Sequence, residues 1–393
     1  MGQAITSSLM ALLPMLFKVL RSVCPVFRIG NTYLVTRADD VRQVFADDRS
    51  FGVPYREKLN VITGGEPFIL GLEDGCHYRD DLAALRQVMR ISDVEALGAK
   101  VGDLATRTVD AAGGRIDVVD MTRRISFEFL AEYLGVPPVE HGDLSTWATR
   151  LFEYQFVSSD RELRDEVDVI APALRSHVLR TIERRRDLPD GRDDVLGRCL
   201  VMQEAGHPRF DDAWICTALV GMIVGGPPQP AMVLPQAFEQ LLRRSDALAG
   251  ALRAARANDD CRLAAYIAEA MRFDPLAPWM PRCALATRTI GTGRHARTIP
   301  AGARVLASMA SAMRDGRRVP DPGAFNPTRT PDQYLHFGFG VHQCFGLEIN
   351  RATLHRMVKP LLQRRDLRRA RGPAGRLTKQ GAFASTLVVE FGA

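Results

Sequence analysis

The sequence lacks the cysteine patterns that mark disulfide frameworks and zinc sites. Its seven cysteines are scattered, odd in number and without a Cys-x-x-Cys pair. Paired or regularly spaced cysteines are typical of small secreted domains and of structural zinc sites. Their absence argues against both classes and favours a reducing compartment, so we expect a cytoplasmic protein. Six of the seven are expected to be ordinary core or surface residues, namely Cys24, Cys76, Cys199, Cys216, Cys261 and Cys283.

Charged tails and nucleic-acid modules are also missing. The net charge is +6, and the 7% of aromatic residues do not interleave with basic ones as a base-stacking platform requires. We therefore expect no nucleic-acid partner. The densest basic cluster holds five arginines between Arg364 and Arg371. It is either a solvated helix end or a docking face that attracts an acidic protein.

The sequence has no apolar run near its N-terminus long enough to cross a bilayer, and no Gly/Ser-rich or Pro-rich linker. The apolar stretch 9–17 is too short to span a membrane and lacks the features of a signal peptide. We expect residues 1–24 to be an apolar segment that either packs on the protein or touches a membrane surface loosely through residues 9–20. Residues 25–393 are expected to form a single domain.

The hydrophobic periodicity is mostly helical. Residues 26–36 read as a hairpin around Gly30-Asn31, and residues 288–306 suggest a second small hairpin. The glycine- and proline-punctuated stretch 51–75 is expected to be a loop, whereas 77–263 is mainly helical. Residues 383–391 have the pattern of a closing strand. The pattern predicts a mainly α protein with small β-sheets.

The most informative stretch is the loop around Cys344. Phe337, Gly340 and Gly346 surround this cysteine with the spacing Phe-x-x-Gly-x-x-x-Cys-x-Gly, and a predicted helix begins at Leu347. A sulfur just before a helix N-terminus lies in the positive end of the helix field, so we expect it to be ionised and able to bind haem iron. A buried, inert cysteine is the alternative. The loop resembles the haem-ligand loop of the cytochromes P450. The resemblance implies that Phe337 covers the sulfur, Gly340 permits the turn and Gly346 permits close approach to the porphyrin.

Two further segments carry the same resemblance. Glu269 and Arg272 are three residues apart on a predicted helix, and Arg329 follows in Phe-Asn-Pro-Thr-Arg. In cytochromes P450 such a Glu-x-x-Arg pair meets an arginine from a segment of this kind. The resemblance therefore implies a Glu269–Arg272–Arg329 network that fixes the thiolate loop. Such a network serves specificity more than net stability.

The resemblance implies a haem b cofactor, buried between a long distal helix and the helix after the cysteine loop. Arg282 and His342 match family contacts to the haem propionates, which need cationic or hydrogen-bonding partners. His77 matches the start of a His-x-x-x-Arg pattern, but Asp81 stands at the arginine position. Arg79 or Arg86 could substitute, and a solvated helix-start histidine is the alternative for His77.

The distal segment departs from the family pattern. Oxygen-activating members resemble Ala/Gly-Gly-x-Asp/Glu-Thr there, and the acid and alcohol deliver protons during oxygen activation. This chain has Gly225, Gly226, Pro227, Pro228 and Gln229 instead. Prolines remove backbone donors, so the helix must open or kink. Gln229 can only exchange hydrogen bonds. It either orients a peroxide or satisfies backbone groups that the prolines free.

Three functions follow from the resemblance. The first is a monooxygenase that inserts one oxygen atom into a lipophilic small molecule, with electrons from a ferredoxin or another acidic protein at the basic face. The second is a peroxide-dependent enzyme or one that rearranges fatty-acid hydroperoxides. Both Gln229 and a likeness of residues 367–379 to the P450 portion of fungal fatty-acid oxygenases favour it. The third is a haem-binding protein without turnover.

Overall fold

Helices make up most of the secondary structure. A computed structural model of the chain describes residues 2–157, 160–188, 190–381 and 383–392, with side chains described from Leu12 onward within these ranges. The described residues form fifteen α-helices: α1 Gly2–Val23, α2 Ala38–Ala46, α3 Arg56–Thr63, α4 Cys76–Val88, α5 Val94–Asp110, α6 Val118–Leu134, α7 Leu144–Phe156, α8 Arg161–Asp187, α9 Val195–Glu204, α10 Asp212–Gly225, α11 Pro228–Leu242, α12 Ser245–Arg256, α13 Asp260–Phe273, α14 Met309–Ala312 and α15 Leu347–Gln363.

The strands are short and belong to small sheets. They are β1 Val26–Ile29, β2 Thr32–Val35, β3 Phe51–Gly52, β4 Arg115–Asp117, β5 Met280–Ala284, β6 Arg288–Ile290, β7 Arg297–Ile299, β8 Arg304–Ala307, β9 Arg368–Arg369, β10 Thr378–Gln380, β11 Phe383–Thr386 and β12 Val388–Glu390. The prediction of a mainly helical protein with small sheets is therefore confirmed.

The chain divides into two compact units, each discontinuous in sequence. Unit 1 comprises residues 1–54, 233–347 and 368–387, and unit 2 comprises residues 55–232, 348–367 and 388–393. Unit 1 contains the cysteine loop, and unit 2 contains α10. The expectation of one domain over residues 25–393 stays a prediction.

Unit 1 is built around a five-stranded sheet of order β1-β2-β8-β5-β3. The predicted hairpin is confirmed, because β1 pairs antiparallel with β2 across Gly30-Asn31. The parallel β2–β8 pair joins the hairpin to later residues, with Val35 opposite Ala307. The second predicted hairpin is β6 with β7. Alternation along β2 and β8 turns Tyr33, Val35 and Val305 into the core.

Helix α2 covers this core. Val41, Val44 and Phe45 recur at helical spacing and are at most 1% exposed. They pack in one cluster with Phe51 and Val305 from the sheet. Phe45 matters for the site, because its carbonyl faces the cysteine loop.

Unit 2 is mainly helical, and α10 lies at its centre. Asp211 caps α10 by accepting a hydrogen bond from the Trp214 N–H at 2.8 Å. The helix is apolar on all sides, with Ile215, Leu219 and Ile223 at most 1% exposed. Helices α7 and α8 contact it.

The helical path is interrupted at the first prolines, between α10 and α11, as predicted. Helix α10 ends at Gly225 and α11 begins at Pro228. The Gly226 N–H still donates to the Met222 carbonyl at 2.9 Å, and Ser126 Oγ donates to the Pro227 carbonyl at 2.7 Å. One stretch among the described residues, 212–242, has the length and composition of a membrane span. Because 78% of its most apolar window is buried in the protein, we interpret it as a core segment.

Two secondary-structure predictions are wrong in part. Residues 51–75 contain α3, which ends at Gly64 in the left-handed region at φ +76°. The buried faces of Leu59 and Ile62 stabilise α3, and glycine and proline content gave no signal of that packing. Residues 383–391 form two strands, β11 and β12, which pair with β10 and β4 respectively.

Candidate functional site

The cysteine loop is a tight turn in unit 1 that runs into α15. The Cys344 N–H donates to the Phe337 carbonyl at 2.9 Å, and the Gln343 N–H donates to the Gly340 carbonyl at 3.1 Å. The Leu347 N–H donates to the Cys344 carbonyl at 3.2 Å, where the helix begins. The backbone thus fixes Cys344 at the loop–helix junction.

Gly340 is required by this geometry. Its φ of +79° lies in the left-handed region, which side chains rarely adopt. A Cβ at this position would clash with the backbone carbonyl oxygen of Phe45 in α2. The loop can therefore approach α2 only with glycine here, as the predicted turn role of Gly340 requires.

The ionisation of Cys344 differs from the sequence-based expectation. Burial raises the pKa of the Cys344 thiol above its ordinary value, and the backbone N–H of Gly346, which bonds the sulfur, offsets only part of that rise. Desolvation of the charged form outweighs one N–H donor. The loop by itself therefore does not hold the sulfur ionised, and the expectation that the helix N-terminus alone would do so is wrong.

The structure brings Glu269, Arg272 and Arg329 together in unit 1. Arg272 Nε and Nη2 each donate to one oxygen of the Glu269 carboxylate at 2.8 Å. Arg329 Nε donates to Oε1 at 3.2 Å. The Glu269 and Arg272 side chains are 0% exposed and that of Arg329 is 2% exposed.

Electrostatics keep the Glu269 carboxylate ionised. Burial alone would raise the pKa of Glu269, but hydrogen bonds from Arg272 and the Asn326 N–H, with the charges of Arg272 and Arg329, hold it below its ordinary value. Arg272 also donates to the carbonyls of Pro322 and Ala324. The carboxylate therefore ties α13 to the segment that leads into the cysteine loop.

Two residues of this segment were missed from the sequence. The Tyr334 hydroxyl donates to Glu269 Oε2 at 3.1 Å, and His336 Nε2 lies 2.9 Å from the Ala268 carbonyl oxygen. A carbonyl only accepts, so Nε2 carries the proton. The two rings stack with centroids 5.0 Å apart, and the His336 ring meets Phe337 edge-on. Burial lowers the pKa of His336 to about 4, so the imidazole is neutral at pH 7. The sequence signal that could have identified them is the alternation of the polar aromatic residues Tyr334 and His336 just before Phe337.

Arg282 and His342 also lie in unit 1. Arg282 is on β5, only 4% exposed, with its guanidinium 4.9 Å from the centroid of the Phe45 ring. Its Nη1 donates to the Pro281 carbonyl at 3.0 Å. His342 is partly buried in the loop, two residues before Cys344. Their contact with haem propionates stays a prediction.

The chemistry of this donor set fits a haem. The partly buried thiol of Cys344 is a soft ligand for iron, and the buried guanidinium of Arg282 suits a carboxylate. The clash that any Cβ at Gly340 would cause shows a loop shaped for close approach to α2. Metal-ligand clusters of three or more histidine, cysteine or acidic side chains were not found among the described residues, so nothing there points to a metal site built from several protein ligands.

His77 lies in unit 2, on the first turn of α4. Its Nε2 is 3.3 Å from the carboxylate of Asp81, which is 2% exposed. That carboxylate also accepts from Trp214 Nε1 at 3.1 Å and lies 3.4 Å from Arg209. Burial raises the pKa of Asp81, although His77, Trp214 and Arg209 each lower it. Asp81 therefore serves a network inside unit 2, where the family pattern has an arginine.

The two candidate substitutes for that arginine lie at the surface. Arg79 makes two 2.9 Å hydrogen bonds to Asp74, and Arg86 is exposed in the last turn of α4. The position of His77 at a helix start fits both of its interpretations, so its contact with haem stays a prediction.

Gln229 lies in the first turn of α11, directly after the helix break. Its Nε2 donates to the carbonyl oxygen of Gly225, and its backbone N–H donates to the Gly226 carbonyl at 3.3 Å. The side-chain amide thus supplies a hydrogen bond to a backbone carbonyl at the helix break that the prolines cause. This contact favours the structural role over the orientation of a peroxide, and the catalytic role of Gly225, Gly226, Pro228 and Gln229 stays a prediction.

The arginines between 364 and 371 are partly neutralised. Arg364 pairs with Asp110 within unit 2, and Arg369 pairs with Glu239 within unit 1. Such pairs reduce the positive charge that could attract an acidic partner.

Comparisons with known proteins agree with the geometry. The family model described as Cytochrome P450 matches residues 262–383, which include the network and the cysteine loop. The chain is 28% identical to the mycinamicin IV hydroxylase/epoxidase of Micromonospora griseorubida, covering 86% of this chain and 85% of that protein. It is 29% identical to the erythromycin C-12 hydroxylase of Saccharopolyspora erythraea, covering 82% and 80%.

The fold agrees as well. The ligand-free structure of cytochrome P450 TbtJ1 superposes with a TM-score of 0.81 at 26% identity, covering 97% of this chain and 98% of that one. Both of these relatives are bacterial hydroxylases, so the similarity to a known family does not depend on the likeness of residues 367–379 to fungal oxygenases.

Proposed function

This chain belongs to the cytochrome P450 family and is a monooxygenase, and on that premise we propose that Cys344 ligates the iron of a haem b. When bound, the haem supplies the iron at which dioxygen is activated for insertion of one oxygen atom into the substrate. The remaining functions fall to the protein: to bind the cofactor, to fix its ligand and to place a substrate.

The observation that carries this proposal is the construction of the cysteine loop. Its backbone hydrogen bonds, the left-handed Gly340 and the Glu269 network all restrain the one cysteine of the motif. An inert core cysteine needs none of these restraints, since small apolar residues would pack equally well. The loop therefore supports ligation over the alternative of a buried, unreactive thiol.

Each residue of the site has a proposed task. Cys344 would hold the iron as a thiolate, and the Gly346 N–H would donate to that sulfur. Phe337 shields the sulfur from water, which strengthens the remaining electrostatic interactions. Arg282 and His342 bind the propionates.

The substrate is proposed to be a lipophilic small molecule that carries a hydroxyl group. The distal segment lacks the acid–alcohol pair that delivers protons, and the Gln229 amide cannot shuttle a proton. A substrate hydroxyl or an ordered water can take over that delivery. The hydroperoxide and non-catalytic alternatives are not favoured, because the relatives are hydroxylases and because Gln229 donates its amide N–H to Gly225.

The electron donor is proposed to be a ferredoxin or a similar acidic protein in the cytoplasm. The exposed arginines of the 364–371 cluster supply its positive docking charge. Because screening weakens this attraction, the rate of reduction by a ferredoxin should fall as salt rises.

The oxygen source is tested by product formation. Purified haem-loaded enzyme is given ferredoxin, its reductase and NADPH, or alternatively a lipid hydroperoxide without reductant. Coupled NADPH consumption and product formation support the proposal, and turnover with hydroperoxide alone contradicts it. In the assay with ferredoxin, its reductase and NADPH, an unchanged rate of product formation by Gln229→Leu would show that Gln229 has no role in the reaction.

A further inference from the structure

Helix α1 exposes a continuous apolar stripe. At 100° per residue, five side chains of its second half fall within an arc of about 100°. Their exposed fractions are high: Leu12 54%, Met15 63%, Leu16 45%, Val19 53% and Val23 72%. The opposite face is buried, through Phe17, Leu20 and Arg21, and Arg21 donates to Ser311 Oγ at 2.8 Å. Helix α1 is therefore fixed to unit 1 through one face, and its opposite face exposes apolar side chains.

The strand that follows α1 also exposes apolar side chains. β1 is the edge of the five-stranded sheet, with Phe27 37% exposed and Ile29 65% exposed. Phe27 and Arg28 line a shallow cleft together with Arg297 and Thr298 from β7. Residues 12–29 thus expose seven large apolar side chains, a concentration that singly scattered surface residues do not produce.

The sequence segments that supply this surface carry charge of one sign. Residues 1–38 contain no aspartate or glutamate, and neither do residues 275–314, which include the β6–β7 hairpin. Lys18 flanks the stripe, and Arg28 and Arg297 lie beside the cleft, all three exposed. An apolar face with a basic border matches a bilayer surface that carries negative headgroups.

We propose that the stripe of α1, with β1 and its basic border, binds the surface of membranes rich in anionic phospholipids. The helix lies in the plane of the interface, with Leu16, Val19 and Val23 in the acyl boundary and Lys18 at the headgroups. A second copy of the chain fits less well, because a symmetric contact would place the same cations against one another. This surface is independent of the haem chemistry proposed above.

The experiment is flotation of the haem-loaded protein with lipid vesicles. Vesicles of phosphatidylcholine alone are compared with vesicles of phosphatidylcholine and phosphatidylglycerol. We expect binding only to the anionic vesicles, with weakening as salt is raised. Val19→Glu should reduce the bound fraction at least about tenfold, because it replaces an apolar side chain that would enter the acyl boundary by a carboxylate that the anionic headgroups repel. Lys18→Glu should weaken binding as well.

Val169→Glu is the matched control. Val169 is 70% exposed on α8, outside the stripe, so this variant should bind vesicles as the unmodified protein does. Haem content and melting temperature are measured for every variant to establish that it is folded. Three outcomes would overturn the proposal: no binding to anionic vesicles, equal loss in Val19→Glu and Val169→Glu, or a dimer that Val19→Glu converts to a monomer.

Discussion

Removal of the Glu269 carboxylate is expected to destabilise the protein and to prevent haem incorporation. The carboxylate accepts five hydrogen bonds: two from Arg272 and one each from Asn326, Arg329 and Tyr334. Glu269→Ala leaves two guanidinium groups, both at most 2% exposed, without their counter-ion. Breaking a buried ion pair from one side costs about 3–5 kcal/mol. The segment that precedes the cysteine loop would lose its anchor to α13.

Two further variants test separately whether the charge of the Glu269 carboxylate and the burial of its ion pair are responsible for the effect. Glu269→Gln keeps the shape and one acceptor oxygen but loses the charge, so it should fall between the wild type and Glu269→Ala. Asp120 and Arg123 have the same spacing of three residues, at 3.1 Å, but are exposed. Asp120→Ala should therefore cost less than about 1 kcal/mol and leave haem content unchanged.

The pH dependence has a definite sign. Because the folded-state pKa of Glu269 lies below its ordinary value of 4.5, the unfolded chain binds more protons as the pH falls towards that range. The stabilisation by Glu269 is complete above the unfolded pKa and is lost as pH falls through the folded one. The difference between the wild type and Glu269→Gln should therefore shrink in acid.

The assays are urea unfolding followed by circular dichroism and haem absorbance per protein. A Glu269→Ala variant with full haem content and an unfolding free energy within about 1 kcal/mol of the wild type would refute the reasoning. It would mean that the loop is restrained by other contacts.

Two other residues give sharp predictions. Gly340→Ala should abolish haem incorporation, because the added Cβ would clash with the Phe45 carbonyl oxygen. Gly30→Ala is the control: Gly30 has open space at φ +58°, so this variant should cost only the backbone strain of about 1 kcal/mol. Equal haem content in both variants would contradict the close approach of the loop to α2. His336→Phe should flatten the pH dependence of stability. Since burial lowers the pKa of His336 from 6.5 to about 4, protonation of the unfolded chain should cost the wild type about 2 kcal/mol between about pH 7 and about pH 5. Unfolding at both pH values measures this, and an equal slope in the variant would contradict it.

The parts of the site that sequence predicted are those carried by local patterns. The cysteine loop, the Glu269–Arg272 spacing and the helix break at Pro227-Pro228 are set by residues close together in the chain. Their geometry follows from turn, helix and proline chemistry, which need no knowledge of distant contacts.

The parts it missed depend on burial and on distant partners. The raised pKa of Cys344 reflects desolvation by neighbours that no spacing reveals. The role of Asp81 depends on Trp214 and Arg209, far along the chain. Helix α3 is stabilised by its packing, despite the glycines and prolines around it.

The most direct test of the central claim is the absorption spectrum of the reduced carbon monoxide complex. If Cys344 ligates the iron as a thiolate, the Soret band should appear at the long-wavelength position typical of thiolate-ligated haem. Cys344→His should move it to the position typical of histidine ligation. A histidine-type spectrum in the unmodified protein, or a thiolate-type spectrum that persists in Cys344→His, would contradict the assignment of Cys344.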